Sequence, residues 1–231
     1  MQQSLIILKN AEDSREKEDF LAALRYTDEA LITFSEEGNA LGFAETLASR
    51  FLTLRHLFEK TGDENYMILA KQDVLASVEV ARKNGEQKAL VIPLFNLGKA
   101  YETLQEYEKA IEAYQEAITN MQNNPPEGHE SKAELQEMII HLSFAQYKNG
   151  DKTATERLEE ALKVLDAETE DKYKKDVWLS GGYMDLVEIL ANDNPAKSHE
   201  ALNRAEAIIN ANPELVIRKR QLETLKKTLV K

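Results

Sequence analysis

Apolar residues recur at steps of three and four positions along almost the whole chain, and no long segment alternates with a period of two. This periodicity favours amphipathic helices over strands. Short segments such as Thr61-Gly62-Asp63 and Asn149-Gly150-Asp151 interrupt it, and Gly, Asn and Asp at such points end one helix and cap the next. The pattern predicts eleven helices, at about 3–17, 19–36, 39–60, 63–84, 87–104, 106–123, 128–149, 151–166, 170–191, 194–211 and 213–230.

Every second helix carries the same signature, in which a small residue is followed by a larger one four positions on and a small one three further. These steps place all three side chains on one helical face. The distances between copies are 47, 40, 44 and 44 residues, which indicates a tandem repeat of helical hairpins. The five copies are Ala23/Thr27/Ala30, Ala70/Val74/Ser77, Ala110/Tyr114/Ala117, Ala154/Leu158/Ala161 and Ser198/Leu202/Ala205.

The central copy extends into the preceding helix, and residues 91–124 resemble the 34-residue consensus of the tetratricopeptide repeat family. The residues that carry this resemblance are Leu97, Gly98, Tyr101, Ala110, Tyr114 and Ala117. A second, partial copy is present at Trp178, Gly182 and Asp185. The other repeats are longer than the consensus and resemble those of bacterial peptide-sensing regulators or of vesicle-fusion adaptor proteins.

The resemblance implies an all-α fold, a right-handed α-α superhelix (solenoid) that occupies residues 1–231 as a single domain. About five hairpins are expected, at approximately 3–36, 39–84, 87–123, 128–166 and 170–211. The last helix, 213–230, resembles the capping helix that closes such arrays. Its inward-facing residues are expected to be Leu215, Ile217, Leu222, Leu225 and Leu229.

Composition is that of a folded, water-soluble protein, with 42% hydrophobic and 30% charged residues. The net charge of −12 argues against nonspecific binding to nucleic acid or to anionic membranes. The region 214–231 is the exception, because it holds six Lys or Arg residues against two Glu. Basic residues there suit the C-terminal end of a helix, and a basic docking segment is the alternative.

The chain contains no cysteine, so disulfides, thiol catalysis and cysteine-ligated zinc are excluded. Its first residues lack the long apolar segment of a secretion signal, and no stretch approaches the ~18–20 apolar residues of a membrane span. We therefore expect a cytoplasmic location.

Residues that could support catalysis are scattered. The four histidines are isolated, no phosphate-binding glycine loop is present, and the acidic clusters lack the glycine and terminal glutamate of a calcium loop. Clusters of this kind are typical of solvated helix faces. The sequence predicts a protein that is not an enzyme, with no cofactor and no metal.

The family resemblance implies that the first helices of successive hairpins line a concave groove that binds extended peptides. Aromatic rings supply apolar area, and an Asn side chain both donates to and accepts from a peptide backbone. The alternative for Phe144 and Tyr147 is a place in the core. The candidate groove residues are Phe95, Asn96, Lys99, His141, Phe144, Tyr147, Lys148 and Tyr183, and the second hairpin adds Glu45, Thr46, Ser49 and Thr53.

These observations predict a non-enzymatic protein–protein interaction module whose partner is a protein or a peptide segment. Two alternatives stay open, a peptide-sensing regulatory domain and a self-associating scaffold. We expect a monomer, with a homodimer as the alternative, and no nucleic acid or membrane partner.

Overall fold

The structure, a computed structural model, describes residues 3–127, 129 and 131–229. Within these residues every regular element is helical and no strand is present. The α-helices are α1 (Gln3–Glu16), α2 (Phe20–Glu36), α3 (Ala40–Thr61), α4 (Glu64–Asn84), α5 (Val91–Thr103), α6 (Tyr107–Asn123), α7 (Lys132–Lys148), α8 (Ala154–Ala167), α9 (Lys172–Leu190), α10 (Pro195–Ala211) and α11 (Val216–Leu229).

All eleven predicted helices are present, and their observed ends lie within four residues of the predicted ones. The predicted helix 87–104 begins late because its first four residues, Gln87–Leu90, form a 3₁₀ turn. The predicted helix 128–149 begins at Lys132, where the hydroxyl of Ser131 accepts a hydrogen bond from the Glu134 N–H at 3.1 Å. Gly128 and Glu130, and Val230 at the end of the predicted helix 213–230, lie outside the described residues.

The turn between α3 and α4 shows how the interruptions in the pattern end a helix. Gly62 adopts a left-handed conformation (φ 73°), and its N–H donates to the Phe58 carbonyl oxygen. Asp63 then accepts from the Asn65 N–H at 3.0 Å and so caps α4. A glycine at Gly62 is favoured because other residues rarely adopt a positive φ.

The chain divides into two compact units, Met1–Pro126 and Glu127–Lys231. Unit 1 contains the hairpins α1/α2, α3/α4 and α5/α6, and its first helices α1, α3 and α5 contact one another in that order. Unit 2 contains the hairpins α7/α8 and α9/α10, with α9 in contact with α7 and α11 packed against both α9 and α10. The single solenoid domain over residues 1–231 stays a prediction.

The repeated signature forms the core of each hairpin. Fourteen of its fifteen residues are buried, and only Leu202 is partly exposed. In α5, Gly98 allows the ring of Tyr114 to lie directly against the helix backbone, and a Cβ atom at this position would overlap that ring. The small residues therefore permit close helix approach, as the sequence predicts.

The capping helix α11 is anchored at its N-terminal half. Leu215, Ile217 and Leu222 are buried as predicted, and Leu225 packs partly against the same cluster. The prediction for Leu229 is wrong, since 39% of this residue is exposed. Leu229 lines an open cavity of about 530 Å³ together with residues of α10, among them Leu202.

Candidate functional site

Three of the predicted groove residues, Phe95, Asn96 and Lys99, lie in α5 of unit 1. Phe95 and Asn96 are buried, whereas Lys99 is partly exposed. The ring of Phe95 packs on that of Tyr114, with centroids 5.7 Å apart. The Lys99 Nζ lies 4.1 Å from the Phe95 ring centroid, a cation–π contact. Lys99 is therefore the side chain of the three that reaches the surface.

Four further predicted residues, His141, Phe144, Tyr147 and Lys148, lie in α7 of unit 2. Phe144 and Tyr147 are buried, while His141 and Lys148 are partly exposed. The Lys148 Nζ forms an ion pair with Glu188 of α9 at 2.6 Å. Phe144 and Tyr147 therefore pack in the core, and the ion pair connects Lys148 of α7 to α9.

Tyr147 is tied to the end of the next hairpin through its hydroxyl. The hydroxyl donates to the Asp193 carboxylate and accepts from the Lys152 Nζ, which lies 2.6 Å away. The same Lys152 Nζ lies 3.8 Å from the Tyr147 ring centroid and 3.0 Å from Asp193 Oδ2. Tyr147 therefore stabilises the connection between α7 and the turn that precedes α10.

Tyr183, the last predicted groove residue, lies in α9 and lines a cavity between α8, α9 and α10. None of the other seven predicted residues lines this cavity. The eight residues therefore fall in three places: α5, α7 and the cavity beside α9.

The residues predicted from the second hairpin do not form a surface. Thr46, Ser49 and Thr53 are buried, and only Glu45 is exposed. The hydroxyls of Thr46 and Thr53 donate to the carbonyl oxygens four residues earlier in α3, at 2.7 and 3.2 Å. Ser49 accepts a hydrogen bond from the buried Arg15 of α1 at 2.9 Å.

The repeat spacing matches further first-helix residues to the predicted Asn96 and Lys99 of α5, although His56 and Asn96 themselves are buried. The signatures of the first three hairpins are 47 and 40 residues apart. Subtracting 40 from a residue number in α5 gives the matched position in α3, and subtracting a further 47 gives the matched position in α1. Because α1, α3 and α5 contact in that order, we group the matched positions of the three helices into rows. We call these rows the first-helix surface. They are an apolar row (Leu5, Leu52, Ile92), a polar row (Lys9, His56, Asn96) and a charged row (Glu12, Glu59, Lys99).

The apolar row is accessible. Leu5 is 43% exposed, and Leu52 and Ile92 are partly exposed. Each of the three first helices therefore presents a large aliphatic side chain to water at the matched position. Exposed apolar patches are typical of interaction sites.

The centre of the first-helix surface holds a compact group of titratable residues in α3. Glu59 lies 3.4 Å from the Arg55 Nε and 3.0 Å from the His56 Nδ1. Burial lowers the pKa of His56, and the neighbouring Glu59 carboxylate opposes this effect. The polar row thus contains an imidazole that burial favours in its neutral form.

A buried role for Arg15 was not predicted from the sequence, although its position in α1 indicates one. It continues the apolar face of α1 four residues after Ala11, at a position where a buried residue is expected. Its side chain is only 10% exposed, and its guanidinium links α1 to α3 through a hydrogen bond to Ser49.

Within the described part of the chain, no three His, Asp or Glu side chains are grouped so that they could hold a metal ion. In the same residues, no helix combines the length and the apolar character needed to cross a membrane. The hydroxyl of Ser14, which matches the spacing of a serine–lysine pair with Lys17, donates to the Asn10 carbonyl oxygen at 2.7 Å.

Comparison with known proteins places the central hairpin in a family. Residues 91–124, which form α5 and α6, match the tetratricopeptide repeat. This match confirms the resemblance inferred from Gly98 and Tyr114. No curated protein sequence matches the chain closely enough to count as a relative.

Three solved structures share the fold. BtubC (BKLC) from P. vanneervenii has 21% identity and a TM-score of 0.60, covering 87% of this chain and 77% of that one. A structure of nearly identical TPR-like repeats from Podosopora anserina has 13% identity and a TM-score of 0.56, covering 90% and 97%. A Rap protein complexed with Competence and Sporulation Factor has 16% identity and a TM-score of 0.62, covering 99% and 64%. These likenesses confirm the predicted TPR-like helical-repeat fold.

Proposed function

We propose that this chain is a non-enzymatic interaction module that binds an extended peptide or protein segment on the first-helix surface of unit 1. The observation that carries the proposal is the apolar row Leu5–Leu52–Ile92 on three helices that contact in order. The other two rows contribute the exposed Lys9 and the partly exposed Glu59 and Lys99. This combination supplies apolar area for side chains and hydrogen-bonding groups for a backbone.

The dimensions of the surface suit an extended segment. Packed helices lie ~8–10 Å apart, so a strand that crosses three of them covers roughly 20 Å, or about six residues. Side chains of the bound segment alternate in direction, so those on one face reach the apolar row. The ammonium groups of the exposed Lys9 and the partly exposed Lys99 supply donors for the carbonyl oxygens of a peptide backbone, whereas His56 and Asn96 are buried.

A second candidate is a regulatory domain that senses a peptide. The observation that favours it is the shared fold with a Rap protein complexed with Competence and Sporulation Factor, over 99% of this chain. A sensor must have a different affinity for its ligand in two conformations. Small-angle scattering with and without a bound peptide separates the candidates, because the sensor predicts a change in radius of gyration and the simple module predicts none.

Selection of peptides from a phage-displayed library of random 12-residue sequences tests the proposal. The wild-type chain should enrich a family of peptides with apolar residues. Leu52→Asn removes the centre of the apolar row and should weaken binding of a selected peptide at least about tenfold, since burial of a leucine side chain contributes ~1.5–3 kcal/mol.

The matched control is Leu69→Asn. Leu69 is 52% exposed and lies in α4, a second helix, so the same change is made away from the first-helix surface. The proposal fails if both variants bind like wild type, or if no peptide is enriched by a chain whose circular dichroism spectrum is that of a folded helical protein.

A further inference from the structure

Unit 2 contains a cavity that the proposed function does not use. It lies between α8, α9 and α10 and has a volume of about 340 Å³. Its floor is formed by the buried residues Leu162, Leu186 and Ala201. A volume in this range is sufficient for a small ligand.

The wall of the cavity carries the hydroxyl of Tyr183. Tyr183 is partly buried, and its hydroxyl makes no hydrogen bond to any described residue. By contrast, the hydroxyl of Tyr114 donates to Glu102 at 2.8 Å and that of Tyr147 donates to Asp193. The Tyr183 hydroxyl is therefore available as a donor to a bound ligand.

Charged side chains of both signs surround the same hydroxyl. Burial raises the pKa of Tyr183, and Asp166 and Glu200 raise it further, whereas Arg204 opposes them. These effects show that the three charges lie within electrostatic reach of the cavity wall.

Some of the rim charges are already neutralised by a partner. Lys197 of α10 is paired with Glu159 of α8, at 2.8 and 3.2 Å. Glu200 and Arg204, four residues apart on α10, form no ion pair with any described residue. The rim therefore offers one anion and one cation on a single helical face, next to the Tyr183 hydroxyl.

We infer that this cavity binds a short zwitterionic peptide with apolar side chains. Its terminal carboxylate would accept hydrogen bonds from Arg204 and the Tyr183 hydroxyl. Its ammonium group would pair with Glu200, because Asp166 lies 4.0 Å from the Lys175 Nζ and already has a cationic partner. The apolar side chains would lie on the floor of Leu162, Leu186 and Ala201. This site is separate from the first-helix surface and does not depend on its function.

Titration calorimetry of the full chain with the dipeptide leucyl-leucine tests the inference. Weak but saturable binding is expected, because the rim is exposed to solvent. The N-acetylated and the C-amidated dipeptides should each bind about tenfold more weakly, since each lacks one charge-assisted contact. Free leucine is the fourth ligand, and weaker binding of leucine than of leucyl-leucine would show that the second side chain also contacts the floor.

Two variants test which residue contacts the carboxylate of the dipeptide and which contacts its ammonium group. Arg204→Gln should weaken leucyl-leucine while removing the difference between the free and the amidated dipeptide. Glu200→Gln should instead remove the difference between the free and the acetylated dipeptide. Lys219→Gln, at an exposed position of α11, is the matched control and should bind like wild type.

The inference is overturned if wild type does not bind leucyl-leucine, or if blocking either end leaves its affinity unchanged. It is also overturned if Arg204→Gln binds the free dipeptide as wild type does. The comparison of blocked and free ligands on the wild-type chain needs no variant, so a folding defect in a variant cannot hide a negative result.

Discussion

The hairpins α5/α6 of unit 1 and α9/α10 of unit 2 share the small–large–small signature but differ in its central residue. Tyr114 in α6 is fully buried, packs on Gly98 and donates to Glu102. Leu202, at the matching position 88 residues later, is partly exposed and lines the cavity of about 530 Å³. The space beside the second helix is therefore filled in α5/α6 and partly open in α9/α10, although the central Leu158 of α8 is fully buried.

This difference also separates two kinds of binding surface. In unit 1 the helices pack closely, and the candidate site is a set of side-chain rows on their surface. In unit 2 two cavities lie against α9 and α10, and the candidate site is the one with an apolar floor. The same repeat thus contributes exposed first-helix side chains in one hairpin and cavity-lining side chains in another.

The largest expected effect comes from truncation of the two central residues. Tyr114→Ala should lower the free energy of unfolding by about 3–5 kcal/mol, because it removes a fully buried aromatic side chain. Leu202→Ala should cost about 1–2 kcal/mol, because its surroundings already contain a cavity. Urea unfolding followed by circular dichroism measures both, and equal costs would contradict the comparison.

Glycine substitutions test the packing of the first helices. Gly98→Ala should lower the free energy of unfolding by roughly 1–3 kcal/mol, because its Cβ would overlap the ring of a buried tyrosine. Gly182→Ala should cost less, since its Cβ would meet the Leu162 Cδ2 at 2.8 Å, the end of a flexible side chain. Thermal unfolding measures which of the two variants is less stable. A larger loss of stability for Gly182→Ala would show that the first helix of unit 2 is the more tightly packed.

A pH titration tests an electrostatic contact that links α2, α3 and α4 in unit 1. The Arg50 Nε lies 3.6 Å from both Asp28 and Asp73. Burial raises the pKa of Asp73 to about 6, with Arg50 opposing and Asp28 adding to the effect. The folded state therefore holds this proton more tightly than the unfolded state, whose Asp pKa is about 3.9.

Proton binding by Asp73 makes the stability of the protein depend on pH. Asp73 lowers the free energy of unfolding as the pH rises from about 4 to about 6, because the folded state must ionise a buried carboxyl. Asp73→Asn should therefore gain stability relative to wild type over this interval, by up to roughly 2 kcal/mol. Urea unfolding at pH 4, 5, 6 and 7 measures the difference, and a constant difference would mean that Asp73 titrates normally.

The smallest expected effect is an increase in stability. Leu202→Tyr restores in unit 2 the residue type found at the matching position of unit 1 and should partly fill the cavity of about 530 Å³. Cavity filling commonly stabilises a protein by ~0.5–2 kcal/mol, and the lower end is expected because this cavity is open to solvent. An unchanged or lower midpoint of thermal unfolding would show that the central residue does not control packing there.

The sequence was sufficient to predict the helices and their core. The period of three and four residues placed all eleven helices, and the signature residues are buried because small side chains are required where helices approach closely. Both signals depend on local spacing within one helix or one hairpin, which the chain displays directly.

The register of the first helices could not be predicted in the same way. Helix α3 has 22 residues and α5 has 13, so the consensus hairpin does not predict which positions of α3 face solvent. The predicted Thr46, Ser49 and Thr53 are buried, whereas Leu52 and Glu59 are partly exposed. The 40-residue spacing separates signatures in second helices and does not by itself give the register of α3 against α5.

The packing partner of Gly182 could not be predicted from the sequence either. The sequence placed it at the position of Gly98, yet a Cβ atom there would meet Leu162 and Ile140 of the preceding hairpin instead of a residue of α10. A glycine signals a close approach, but the sequence does not identify the helix that approaches. The same limit applies to Tyr183, whose cavity is formed by three helices.

Hydrogen–deuterium exchange of the full chain, with and without a peptide selected from the 12-residue library, tests the central claim most directly. Binding to the first-helix surface predicts slower exchange in α1, α3 and α5, with little change in α2, α4 and α6. Leu52→Asn should abolish this protection at the same peptide concentration. Protection confined to the second helices, or to unit 2, would contradict the claim.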